Sequence, residues 1–143
     1  MGKTLKIGEL EARIPVIQGG MGVGIILSSL AGAVAGEGGI GMISTAQIGF
    51  REPDFDTNPF AANYRAMEKE IKKARKIAGN GILGVNIMTV TRNYEQYVRT
   101  AVKAGIDLIV SGAGLPVDLP AYTQGSGVKI APVVSSLKSF TVL

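Results

Sequence analysis

Apolar residues in this chain fall into short unbroken runs separated by amphipathic stretches. "IPVIQ" (14–18), "IGMIST" (40–45), "ILGVNIM" (82–88), "IDLIVSG" (106–112) and "VKIAPVV" (128–134) are runs of strand length, rich in β-branched residues. Between them lie segments of helical period. "SSLAGAVAGEGG" (28–39) reads as a short helix with small residues on both faces. Ser28 or Ser29 is its expected cap, and Gly38 takes the left-handed position at its end. A longer helix starts at Asn58-Pro59, a cap followed by proline at the first helical position. Phe60, Tyr64, Met67, Ile71, Ala74 and Ala78 then form one apolar stripe, and "GNG" (79–81) ends it. "NYEQYVRTAVKAG" (93–105) repeats the design, with Asn93 and Gln96 at capping-box spacing. Short helices are expected from Asp118 and over 135–143.

Strand and helix alternate throughout, and the strands are continuously apolar. That pattern predicts an α/β fold with a parallel sheet covered on both faces. Two architectures satisfy it. One is an open doubly wound sheet, which suits a chain of 143 residues. The other is part of a (β/α)8 barrel, which takes about 250 residues when whole.

Composition narrows the chemistry. The chain has neither Cys nor His, so disulfides, thiolate nucleophiles, imidazole bases and the usual zinc sites are excluded within it. No metal ligand set and no catalytic residue is assigned. The net charge is +4, and much of the basic excess lies in "EKEIKKARK" (68–76), where acidic residues are interspersed. That is a solvated helix face, without the interleaved aromatics that stack bases, so no nucleic-acid partner is expected. The uncharged stretch 14–36 is long enough to span a membrane, but four of its glycines fall in 19–24 and Pro15, Gln18, Ser28 and Ser29 interrupt it. A strand, a glycine loop and a buried helix account for it better. The N-terminus has charges every few residues and no apolar core, so a cytoplasmic protein is expected.

Ligands of parallel α/β proteins gather at the carboxyl ends of the strands. Here those ends are Gln18-Gly19-Gly20-Met21, Ser44–Gln47, Asn86–Met88, Ser111–Gly114 and Ser135-Ser136. All are neutral, so they suit holding a planar hydrogen-bonding cofactor better than acid–base work. The dinucleotide fingerprint GxGxxG fails in every frame: Ile25, Leu27 and Val117 stand where its last glycine is required.

The series "RIPVIQGGMGVGI", "LAGAVAGEGGIGMIS", "GVNIM" and "SGAGLP" resembles the nitronate monooxygenase family (2-nitropropane dioxygenase-like flavoproteins) over nearly the whole chain. FMN-dependent enoyl-acyl-carrier-protein reductases share a similar opening. The resemblance implies the N-terminal half of a (β/α)8 TIM barrel, with about five parallel strands and FMN across its C-terminal mouth. It implies oxidation of small alkyl nitronates by O2. By analogy the cofactor-binding residues would be Gln18, Gly19, Gly20, Met21, Asn86, Ser111 and Gly112. The family's active-site His and its phosphate-binding loops belong to the later half of the barrel. Residues 1–143 are therefore expected to form a single partial barrel, ending after the fifth strand, with weak flavin binding and association into a homodimer through exposed sheet edges. The remaining alternative is a non-catalytic open α/β module that binds a small ligand.

Overall fold

A computed structural model describes residues 2–142. Its centre is a four-stranded parallel sheet of β3 (Ile40–Ser44), β4 (Ile82–Met88), β5 (Leu108–Gly112) and β6 (Lys129–Pro132), in that order. Each strand leads to the next through a helical crossover. The helices are α1 (Ser28–Gly36), α2 (Pro59–Ala78), α3 (Tyr94–Lys103), α4 (Leu119–Thr123) and α5 (Leu137–Val142). The expected final helix is thus α5, and residue 143 lies outside the described residues.

The two faces of the sheet are covered differently. Ile43, Leu83, Val85, Ile87 and Ile109 point to the helix side. There they pack with Ala31 and Ala35 of α1, Met67, Ile71 and Ala74 of α2, Tyr97, Val98 and Ala101 of α3, and Leu119 of α4. The opposite face carries Ile40, Met42 and Leu108, and it is covered by Leu5, Ile7, Leu10 and Ala12. Those residues belong to an antiparallel hairpin, β1 (Leu5–Ile7) and β2 (Leu10–Ala12). Both faces are covered, as expected, but by helices on one and a hairpin on the other, and that decides between the two architectures. This is the layering of a barrel wall rather than of a doubly wound sheet.

The hairpin itself was not among the expected elements. Its strands have three residues each, and Gly8, at φ 57°, makes the turn between them. Lys129 of β6 reaches this turn and pairs with Glu9, so the hairpin is tied to the far strand of the sheet.

The expected first strand, 14–18, is reduced to a single parallel bridge between Ile17 and Ile40. Val16 and Gln18 exchange backbone hydrogen bonds with Ile40 at 2.9 and 3.0 Å, and the ladder stops there. The segment lies outside β3 with no strand on its other side among the described residues, and Ile14, Val16 and Ile17 stay exposed. The paired sheet therefore has four strands and one bridge where five strands were expected.

Helix α1 packs so closely on the sheet that no side chain fits between. A Cβ on Gly41 of β3 would lie 1.8 Å from the Ala31 carbonyl oxygen. The N-terminus of α1 has no local side-chain cap; the Glu70 carboxylate of α2 accepts the Ser28 N–H at 3.0 Å instead. At the amino ends of the strands, Arg75 of α2 donates to Asp107 at 2.6 Å and to the Gly81 carbonyl at 2.7 Å. Asp107 in turn accepts the Leu83 N–H at 2.8 Å. One guanidinium thus joins α2, β4 and the entry to β5. Among the described residues no helix is long and apolar enough to cross a membrane.

Candidate functional site

The carboxyl ends of the strands open toward loop 19–26, which folds over β3 and β4. Its position is set by contact at two glycines. A Cβ on Gly20 would stand 2.7 Å from the Asn86 Cβ, and one on Gly22 would stand 3.1 Å from the Ala46 Cβ. The backbone of this loop therefore lies directly against Asn86 of β4 and against Ser44 and Ala46 at the end of β3. Register supports the same grouping, because Ser44 is paired with Asn86 and Met88 with Gly112 across the sheet.

Five of the seven expected site residues meet here. Gly19 has open space where a Cβ would be, and Met21 is 57% exposed beside it. Gln18 sits under the loop. Its Nε2 donates to the Met42 carbonyl at 3.0 Å and to the Gly19 carbonyl at 3.3 Å. Those two acceptors fix the orientation of the amide, because turning it over would set oxygen against oxygen. Its Oε1 is then buried without a donor. Buried polar atoms are ordinarily paired, so this one marks a place where a donor belongs. The Asn86 amide, half-buried against Gly20, makes no hydrogen bond to any group among the described residues.

The other two residues sit differently. Gly112 ends β5 at the same mouth, but a Cβ on it would meet the Val133 Cβ at 2.9 Å, so it lies against the chain leaving β6. Ser111 is one step out of phase and faces the helix layer. It is fully buried, and its hydroxyl donates to the Ile87 carbonyl at 2.8 Å and accepts from the Tyr94 hydroxyl at 2.7 Å. Thr89 stands 3.2 Å away. Burial pushes the Tyr94 phenol above its usual value, against the pull of the Ser111 hydrogen bond, so it remains a neutral donor. The Ser111 side chain anchors the mouth from behind.

Thr45, part of the expected strand end Ser44–Gln47, is buried beside the mouth together with Asn63 and Tyr97, which sequence reasoning did not assign to the site. The Thr45 hydroxyl donates to the Asn86 carbonyl at 3.0 Å, and the Asn63 carboxamide oxygen accepts the Gly49 N–H at 2.7 Å. Tyr97 reads as an apolar position of its helix and Asn63 carries no signal of its own in the sequence; the loop after β3, held by the Gly49–Asn63 bond, brings them to the site.

No curated protein matches the chain. Among solved structures it is similar to FabK from Thermotoga maritima, with a TM-score of 0.62 and 24% identity over 84% of this chain and 34% of that one. A single-residue mutant of the same FabK matches with a TM-score of 0.62 and 25% identity over 79% and 33%. The chain thus spans about a third of the length of these relatives, and its sheet and helices match part of a TIM barrel. The family model described as Nitronate monooxygenase matches residues 3–143. That match runs over the barrel wall almost from end to end, and the chain belongs to the nitronate monooxygenase family, whose members are flavin-dependent enzymes.

Proposed function

We propose that this chain forms the ring-side wall of an FMN site in an enzyme that oxidises small alkyl nitronates with O2. The observation that carries the reading is the unpaired Gln18 Oε1 together with the unpaired Asn86 amide, next to the Gly19-Gly20 backbone. A flavin ring is flat and has an edge of alternating carbonyls and N–H groups. The site has matching parts: Gln18 Oε1 to accept an N–H, the Asn86 amide to donate and accept, and a strip of backbone without side chains to lie beside the ring. Met21 adds a polarisable apolar contact. Bound there, the flavin would supply the electron transfer between substrate and O2. The residues of this chain hold and orient it. Gln18 and Asn86 fix its edge, loop 19–22 excludes water from one side, and Ser111 with Tyr94 keeps the β5 end in register.

The test is a fluorescence titration with riboflavin and with FMN. A wall that contacts only the ring binds the two within about twofold, and Asn86→Ala weakens both by about three- to tenfold, the worth of one or two hydrogen bonds. FMN binding about tenfold tighter than riboflavin, or an unaffected Asn86→Ala, overturns the reading. The opening "IQGGMG", similar also to that of FMN-dependent enoyl-acyl-carrier-protein reductases, supports enoyl-thioester reduction as a second reading. Nitronate-dependent O2 uptake separates the first from NAD(P)H-dependent enoyl reduction.

The same reading includes self-association. The outer edge of β6 has no strand partner among the described residues, and the segment 14–18 leaves the opposite edge open. Unpaired parallel edges are templates for another strand. Light scattering is expected to show a dimer, and a clean monomer counts against it.

A further inference from the structure

Beside the mouth, outside loop 19–22, lies a second cavity of 440 Å³, within the range of small-molecule pockets. Val23, Ala46 and Met88 form its apolar side. Thr45, Gln47, Asn63, Thr91 and Tyr97 supply its polar groups. We propose that this cleft binds an aliphatic chain ending in a neutral hydrogen-bonding group, an amide or an alcohol.

Three features select that chemistry. First, none of the eight lining residues is charged, so an ionic ligand would leave water for a site with nothing to balance it. Second, the polar groups are amides and hydroxyls, which both donate and accept. The side chains of Gln47 and Thr91 make no hydrogen bond among the described residues, so they are free to meet a ligand. Third, Val23 and Met88 are each 43% exposed at the rim, apolar surface that an alkyl chain would cover. Met88 is two residues beyond Asn86 on the same strand face, so the cleft continues outward from the flavin wall. Its role as the subsite for a substrate's tail rests on the flavin reading; the binding itself does not.

The experiment is a methyl NMR titration of the full chain with hexanamide, without flavin. Saturable shifts are expected at the Val23 and Met88 methyl groups, with hexanoate and hexylammonium at least about tenfold weaker. Val23→Phe and Thr91→Phe, both at the rim, fill the cleft from opposite sides. Each should weaken hexanamide by about tenfold or more while methyl signals of the helix-side core stay in place. Silence at Val23 and Met88, equal binding of hexanoate, or two filling variants without effect overturns the proposal. Hexanamide should also still bind when riboflavin saturates the chain, and displacement by riboflavin would merge the two sites and overturn it. Failure of the riboflavin titration by itself would sink the flavin reading and leave the hexanamide result standing.

Discussion

Gly20 and Asn86 touch so closely that a methyl group on the first would stand 2.7 Å from the Cβ of the second. The loop can lie on β4 only because position 20 has no side chain. Gly20→Ala should push the loop away and cost about 1–3 kcal/mol, as overpacking does. Adding Asn86→Gly should recover most of that stability in urea denaturation, yet leave flavin binding weakened. Recovery of both would mean that Asn86 serves packing alone.

Gly19, one residue earlier, has the opposite character. Nothing lies within 4 Å of where its Cβ would be, and its φ is not in the left-handed region. Gly19→Ala should therefore change stability by less than about 0.5 kcal/mol. If the flat backbone faces a ring, the same substitution should lower riboflavin affinity by about tenfold. An alanine variant with unchanged stability and unchanged flavin affinity would place the ring elsewhere.

Gly41 lies beneath α1, where an added Cβ would fall 1.8 Å from the Ala31 carbonyl oxygen, part of the helix backbone. Neither helix nor strand can give way without losing its ladder. Gly41→Ala is expected to cost about 3 kcal/mol or more. Loss of a cooperative thermal transition would fit, and a melting temperature within a few degrees of the parent would not.

Arg75 and Asp107 close the opposite end of the sheet. Asp107→Ala removes the acceptor of the Leu83 N–H and the partner of the guanidinium together, an expected cost of about 1–3 kcal/mol. Asp107→Asn keeps an acceptor for the N–H and should recover part of it. The ion pair itself adds little, because both side chains are about one-third exposed. Flavin affinity should be untouched by either change, since the pair lies at the amino ends of the strands.

Burial pushes the Glu70 carboxyl up, but hydrogen bonds from the Ser28 side chain and backbone and from Lys73 outweigh it, leaving it below its ordinary 4.5. A lowered folded-state value means that the unfolded chain binds the proton more readily. The stability from Glu70 is then fully present above pH 4.5 and fades as the pH falls through the folded-state value. Glu70→Gln should destabilise at pH 7, and its difference from the parent should shrink by pH 3. A difference constant over that range would remove Glu70 as the cap of α1.

What could be read from residues alone was what local chemistry decides. The Asn58-Pro59 start of α2 is real, with the Asn58 side chain accepting the Ala61 N–H, and β4 spans the expected residues 82–88. What could not be read depends on distant partners. Ser28 and Ser29 are plausible caps by sequence, but Glu70, 42 positions away, takes the N–H. Asn93 and Gln96 have capping-box spacing, yet Asn93 adopts a left-handed conformation without a cap bond, and the Gln96 amide bonds Thr100. The hairpin did leave a signal, an alternating "LKIGELEA" around a glycine, too short to stand out from a charged terminus. At the site, the strand-end rule located the mouth. Whether Ser111 faces into it or behind it is a matter of one residue of register.

The hairpin of residues 5–12 has a consequence for the order of folding. Its apolar face rests on Ile82, Leu108, Val110 and Ala131, and its turn is tied to Lys129, which leaves the ribosome long after Glu9. During synthesis the first folded-looking piece of the chain has nothing to sit on, and its closing contact spans 120 positions (129 − 9). Long-range closure of this kind slows folding. The hairpin acts as a latch on the sheet, and translation brings its partner only 120 positions (129 − 9) later.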